Sequence, residues 1–554
     1  MSAVSEAVPV ERVRESAPRY KGAIVLAFAI CGLFTLAGLL VPPTLSHDPA
    51  WGMQEWRSYR AGNPINTVTH PDVKDISRDQ ADLLTWWSPG QYLVPGALTL
   101  LGFRLGTALS IVAGASLLCC LLGWIQVGKH FALSPRIILL LVACIGTFRY
   151  STLPFGVYNG GEILLQGFTP WLILAACSIP SMSALRAAGL ACLAILIAFF
   201  LKLTGVMVAS VAFFACALEA LIRLKRVTVG MIAGAFGAIV AFAILYGAWF
   251  SRGSTPASGT GWSFRAADVL FAWGAPWGAG VSWTDMFTSL MLNFRHPVLS
   301  GSDAESGNLA ITIWLLVIPT LLFLTILVQG WRRRSQDENL ARLLQITIFF
   351  YAAYALAMSA IFLRGGDVSL EERHLRAAGM LIFVCALATA SRLRPRSPSR
   401  LSLGALCALM SLYGCFAFAY RARSTKRSEI DHYSGTYQPS VDESAIEFLR
   451  TTFAQQGRDA LIVLPSPEAA SAFSPSVRIL TNHIEFEPEE TISSRTYRGK
   501  VRGSVYVVVP ARMEQSVKTT LLLKEFIDYP LEGWEKRSFG SSIVFVQPAT
   551  SAPK

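Results

Sequence analysis

The sequence predicts a polytopic α-helical membrane domain followed by a small α/β domain, and three observations carry that expectation. Of the 554 residues 53% are hydrophobic and only 15% charged, and the mean hydropathy is +0.46; soluble domains run nearer about a quarter charged. Apolar runs long enough to cross a bilayer, about 17–25 residues, recur from position 21 to position 420. Beyond that point the chain turns to short β-branched runs separated by polar helical stretches.

Taken in order, residues 1–20 are polar and read as a cytoplasmic tail. The membrane domain spans 21–421, with apolar runs at 21–41, 105–128, 136–153, 162–179, 184–201, 205–222, 228–250, 307–330, 344–363, 375–391 and 401–420. That makes about eleven spans by the length criterion. The first run is too long for the apolar core of a signal peptide, and Pro42-Pro43 follows it where small cleavage-site residues belong. All ten Cys fall inside these runs, so they read as small packing residues.

Lys and Arg near span ends stay on the cytoplasmic side. Alternating from an inner N-terminus, the inner segments carry Lys129 and Arg136, Arg186, Arg223 with Lys225 and Arg226, Arg332 to Arg334, and Arg392 to Arg400. Two long outer loops, 42–104 and 251–306, and a tail at 422–554 then lie outside. A multi-pass plasma membrane location, bacterial inner membrane, follows as the expectation, with the C-terminal domain extracytoplasmic. The net charge of +12 is accounted for by this topology, so nucleic acid is not an expected partner. Membrane lipids are.

The outer loops hold the polar chemistry. Asp48 follows the first span within a short exit, and an ionisable group held there is usually functional. Ala50–Ala61 has apolar residues at helical spacing and reads as an interfacial helix with Gln54, Glu55, Arg57 and Ser58 on its polar side, ended by Gly62-Asn63-Pro64. Eight of the fourteen Trp lie in the two loops, Trp51, Trp56, Trp86, Trp87, Trp262, Trp273, Trp277 and Trp283. They form either an interfacial belt or a ligand-facing wall. In the tail, 460–464, 477–480, 505–509 and 542–546 read as buried strands, and 442–455 and 512–526 as helices.

Several motifs occur in a fixed order: Asp48 after span one, Trp87-Ser-Pro-Gly-Gln-Tyr92, Gly102-Phe-Arg-Leu-Gly-Thr-Ala-Leu-Ser110, Asn159-Gly-Gly-Glu162, Phe199-Phe-Leu-Lys-Leu-Thr-Gly205 and Glu371-Glu-Arg-His-Leu-Arg376. Over residues 1–421 this order resembles the GT-C glycosyltransferases, polytopic enzymes that use polyprenyl-phosphate-linked sugars, such as protein O-mannosyltransferases and lipid A aminoarabinose transferases. The tail resembles the extracytoplasmic domains that many of them append. The resemblance implies transfer of a hexose or pentose from a polyprenyl-phosphate donor to a lipid, glycan or protein acceptor on the outer face. It implies Asp48 as general base, because an alcohol is a poor nucleophile until its proton is taken. It also implies cations for the leaving phosphate, and Lys202, Arg364, Arg373, His374 and Arg376 are the candidates on the outer side. Glu55, Asp79, Asp82 and Glu162 are secondary acidic candidates, and Trp51, Trp86 and Trp87 sugar-facing ones.

Other readings stay open beside it. Asp48 also suits a helix N-cap and Glu162 a span cap, and Arg373 or Arg376 suits a snorkelling helix end. Where many members carry two adjacent acids, this chain has His47-Asp48-Pro49. His47, Asp48 and His70 suggest a divalent site but define no metal geometry, so no metal site is assigned, metal dependence stays open and the cofactors are unknown. The alternative function is a multispan transporter or a lipid-linked oligosaccharide flippase, against which stands the lack of a detectable internal repeat.

Overall fold

In the computed structural model, residues 20–85, 87–252, 261–262, 264, 266–287, 309–365, 371–425, 429–482, 484–485 and 487–549 are described. Every one of the eleven apolar runs is helical. They are α1 (Lys21–Leu40), α4 (Leu105–His130), α5 with α6 (Pro135–Thr147 and Arg149–Thr152), α7 (Gly161–Ser178), α8 (Ala184–Leu201), α9 (Gly205–Leu224), α10 (Val229–Ala248), α13 (Leu309–Arg333), α14 (Glu338–Leu363), α15 (Arg376–Ala390) and α16 (Pro398–Ser424). Between them lie α2 (His47–Arg60), α3 (Gly90–Leu100), α11 (Ala266–Gly274) and α12 (Pro276–Ala279). Among the described residues nine helices are long and apolar enough to cross a membrane; the pair Pro135–Thr147 and Arg149–Phe155, bent by 60°, makes a tenth, and α15 is a shorter apolar helix.

The packing is that of a protein in lipid. Phe28, Leu33 and Leu36 on α1 and Ile232, Phe236 and Ile239 on α10 are exposed, the kind of outward apolar face that water does not tolerate over such an area. By contrast every residue of α15, the shorter apolar helix, is buried. Its surroundings are protein, and length against lipid does not constrain it.

Charged side chains sort to the two ends of the bundle. At one end Glu219 accepts from Arg223 at 2.8 Å and from Arg342 at 3.3 Å, and Arg392 pairs with Asp337 at 2.6 Å. These are the basic segments assigned above to the cytoplasm. At the other end the first loop and the tail come together.

There the chain differs from the sequence expectation. α2 begins three residues earlier than the apolar spacing suggested, and its polar side is not in water: Gln54, Glu55 and Ser58 are buried along with Ala50, Met53 and Trp56. The reason is that protein surrounds it: Arg57 donates to the Ser474 carbonyl of the tail at 2.8 Å, Ser58 bonds Thr69 at 2.9 Å, and Glu55 lies beside Tyr92 of α3. An antiparallel hairpin that the sequence did not reveal follows, β2 (Thr67–Asp72) with β3 (Asp75–Leu83). A two-residue parallel pair, β1 (Thr44–Leu45) with β4 (Val157–Tyr158), ties the exit of α1 to the start of α7.

The tail is a five-stranded sheet in the order β6-β5-β7-β9-β8, with β5 (Leu461–Leu464), β6 (Ile479–Thr481) and β7 (Val505–Pro510) parallel and β8 (Glu535–Phe539) and β9 (Ser542–Gln547) antiparallel. The helix α17 (Glu443–Gln456) supplies Ile446, Leu449 and Phe453 to the core on one face. On the other, α19 (Val517–Lys524) follows the short α18 (Glu489–Ser494) and supplies Leu522. Ile76 of β3, fully buried, joins that second core. The Ile76 amide donates to the Arg498 carbonyl at 2.8 Å, and Arg478 donates to Asp79 at 2.9 Å and to the Ile76 carbonyl at 2.6 Å. Gly106 completes the seam: a Cβ there would lie 1.9 Å from the Gly435 carbonyl oxygen, so only glycine lets the tail sit on the start of α4.

Arg478→Ala should loosen this seam. Hydrogen bonds to a charged group contribute roughly 1.5–3 kcal/mol each, so the hairpin of the variant is expected to be cut several-fold faster in limited proteolysis, with Asp79→Asn intermediate. Equal cleavage rates for all three proteins would show that the seam does not hold the hairpin.

Candidate functional site

Four chain segments converge where the first loop meets the bundle. The β1–β4 pair sets the first turn of α2, with Asp48, beside the start of α7, with Glu162. Two glycines make the approach close enough. Gly160 has φ +60°, and a Cβ on it would lie 2.8 Å from Pro49, while a Cβ on Gly161 would lie 2.7 Å from the Leu201 carbonyl and 3.1 Å from the Lys202 side chain. Larger residues there would hold Glu162 away from both neighbours. The third segment is the break between α8 and α9, and the fourth is the turn that leads into α15.

The ion pairs define the site. Lys202 donates to Glu162, whose side chain is 6% exposed against 14% for the lysine. Arg373 lies among three carboxylates: Asp48 at 3.1 Å, Glu162 at 3.4 Å and Glu371 at 2.8 Å. Arg376 reaches Asp285 at 3.5 Å and sits over the Tyr150 ring at 5.0 Å. The Asp285 amide donates to Glu372 at 2.7 Å. Beside these charges is a small cavity of about 20 Å³, with Leu165, Val208 and Met380 among its walls together with Tyr354 and His374.

Burial sets the protonation states around the mouth. It pushes the Glu372 carboxyl up to about 8, with Asp285 adding to the effect. Burial and then the neighbouring Lys202 and Arg373 hold His374 well below the ordinary histidine value, so His374 enters as a neutral ring and the cations are Lys202, Arg373 and Arg376. Burial also lowers Lys202, with Glu162 opposing it.

Of the residues singled out from sequence, Asp48, Glu162, Lys202, Arg373, His374 and Arg376 are brought together. The N-cap of α2 is Ser46, so Asp48 stands within the first turn and faces Arg373. Trp51 and Trp87 stack at 6.4 Å with an interplanar angle of 8°, and Trp51 donates to His47 at 3.2 Å. Trp86 lies outside the described residues. Three carboxylates are elsewhere: Asp79 holds Arg478, Asp82 holds His70 at 2.7 Å, and Glu55 is buried, its carboxyl pushed up by burial. Arg364 sits over Trp262 at 5.5 Å. Of the other loop tryptophans, Trp56, Trp277 and Trp283 are buried, so they pack and do not form a wall. No group of three or more His, Cys, Asp or Glu side chains converges as a metal site among the described residues. Sequence reasoning passed over Asp285, Tyr150 and the role of Gly160-Gly161; for the glycines the doublet directly before an acid was the available signal.

No family model matches the chain, and no curated protein matches it in sequence. Solved structures do match its fold. A crystal structure of ArnT from Cupriavidus metallidurans in the apo state superposes with a TM-score of 0.52 at 11% identity, covering 96% of this chain and 99% of that one. One of the same protein bound to undecaprenyl phosphate gives 0.50 at 12% identity, covering 96% and 100%. What is shared at such identity is the fold, a polytopic helical bundle with a small α/β domain, as expected from the sequence.

The buried Glu162–Lys202 pair gives a direct test of the site's electrostatics. Removing one member of a buried pair costs about 3–5 kcal/mol, whereas replacing both is often nearly neutral. Lys202→Met is therefore expected to lower the melting temperature in detergent more than the double variant Lys202→Met/Glu162→Gln does. A double variant less stable than the single one would show that the pair is not the coupled unit described.

Proposed function

We propose that this protein is a membrane glycosyltransferase that moves a sugar from a polyprenyl-phosphate donor to an acceptor hydroxyl on the outer face of the membrane. The observation that carries the reading is the meeting of the Asp48 carboxylate with Arg373, and of Arg373 with the Glu162–Lys202 pair, at the mouth of a bundle. Its fold is shared with a protein crystallised with undecaprenyl phosphate.

The chemistry asks for these groups in this arrangement. The acceptor oxygen bonds to the anomeric carbon as the bond from that carbon to the phosphate oxygen breaks. The hydroxyl proton goes to Asp48, and the electron pair leaves with the polyprenyl phosphate, which gains one negative charge. No general acid is required for such a leaving group. Preorganised cations stabilise the charge as it develops; Arg373 offers a planar fork to the phosphate oxygens and Lys202 a point charge. The prenyl chain stays in lipid, and the apolar side chains beside the charges suit its first units. Trp51 and Trp87, stacked one helical turn from Asp48, suit the face of a sugar ring. The inner membrane and an outward-facing tail are part of the proposal, resting on the distribution of Lys and Arg.

Asp48→Asn keeps the size and polarity of the side chain but not its basicity. A positioned base contributes about 10²–10⁴-fold, so the purified variant is expected to transfer sugar from polyprenyl-phosphate donors at least a hundredfold more slowly, with its fold unchanged. Retention of more than about a tenth of the wild-type rate rejects Asp48 as the base.

The sidedness is tested without substrate. Reporters fused after residues 60, 280 and 440 are expected to read the outer compartment, and those after 226, 334 and 396 the cytoplasm. A cytoplasmic signal beyond 440 would put the reaction on the other face.

A further inference from the structure

At the same end of the bundle as Asp48, a second cavity of about 280 Å³ opens between α2, the β2–β3 hairpin and the tail. Arg57, Arg458 and Arg478 line it, and Asp79 is the carboxylate among its lining residues. The three guanidinium groups are used differently. Arg478 is committed to Asp79 and to the Ile76 and Arg78 carbonyls. Arg458 stands exposed. Arg57 donates to the Ser474 and Val477 carbonyls at 2.8 and 3.2 Å, its Nε is buried with no hydrogen-bond partner, and among the described residues no carboxylate pairs with it.

Arg57 is only partly exposed, and a guanidinium held there without a counter-ion is costly; burial pulls its pKa down to about 10, with Tyr433 opposing the shift. The buried amide nitrogen of Gln54, also on this wall, is likewise without a partner. Around them Ser58, Thr69, Asn63 and Ser476 add hydroxyl and amide groups to a wall that is otherwise partly apolar, Ser58 and Asn63 each bonding Thr69 at 2.9 Å. Guanidinium groups select planar or tetrahedral oxyanions, and a lining of hydroxyls and amides suits a polyhydroxylated ring. We propose that this cavity binds an anionic sugar, a ring bearing a phosphate or a carboxylate. Resting on the glycosyl-transfer reading, the sugar belongs to the acceptor and is held away from the point of transfer. Arg57 lies nine residues from Asp48 on the same helix, about 13 Å at 1.5 Å per residue, so the acceptor is gripped at a distance of a few sugar units from the base.

The test uses the full chain purified in detergent. Binding of undecaprenyl phosphate is measured first, and the protein is then titrated, with that lipid present, with glucose 6-phosphate, glucuronate, inorganic phosphate and glucose, following ligand signals by saturation-transfer NMR. Wild type is expected to bind at least one of the two anionic sugars and to bind glucose at least tenfold more weakly; which of them binds distinguishes phosphate from carboxylate. Arg57→Gln and the exposed Arg458→Gln are each expected to weaken that binding at least tenfold while leaving undecaprenyl phosphate binding unchanged. Arg458→Gln keeps the test valid if Arg57→Gln does not fold. Binding of neither anionic sugar, equal binding of glucose, or unchanged binding in the folded variants overturns the proposal. Failure of undecaprenyl phosphate to bind speaks instead against the donor reading, and the sugar titrations still decide the cavity.

Discussion

The Glu162 carboxylate is the charge around which the mouth of the bundle is organised. Its side chain is 6% exposed, and a carboxylate so far from water needs cations placed against it. Lys202 and Arg373 come from segments 40 and 211 residues further along, so satisfying one acid fixes the break between α8 and α9 and the turn before α15 in the same place. Arg373 then carries the arrangement outward to Asp48. The glycine doublet before Glu162 belongs to the same requirement, since side chains there would separate the acid from its partners.

Much of this was legible in the sequence, and the residues show why the rest was not. All eleven apolar runs are helices, because run length is a local property and lipid demands it. The buried runs at Leu461–Leu464 and Val505–Pro510 announced their strands. β8 did not, because Glu535, Lys536, Arg537 and Ser538 are all exposed and leave no apolar signature. The hairpin stayed hidden for a related reason: in β3 Ile76 is the one buried position, and the core it enters belongs to the tail. At the site, the charged residues could be named from their motifs. Which acid meets which cation could not, because Asp48 and Arg373 are 325 residues apart.

α2 shows how a local pattern misleads when its context is distant. Its spacing was amphipathic, and a membrane surface was the natural destination for such a helix. The folded chain instead places protein on both sides of it, so the face that looked solvent-directed supplies polar atoms to a second cavity. One fourteen-residue helix thereby has Asp48 near one end and Arg57 near the other.

The seam between the hairpin and the tail also has a consequence in time. Arg57 waits for Ser474, separated from it by 417 residues, and Asp79 waits for Arg478, separated by 399. At about 5–20 residues per second of synthesis, the first loop emerges roughly 20–80 s before its partners exist. During that interval the nascent chain holds Ile76 and the polar face of α2 without the surfaces that bury them in the finished molecule. The wall of the second cavity is therefore among the last parts of the protein to mature, although half of it is among the first to be made.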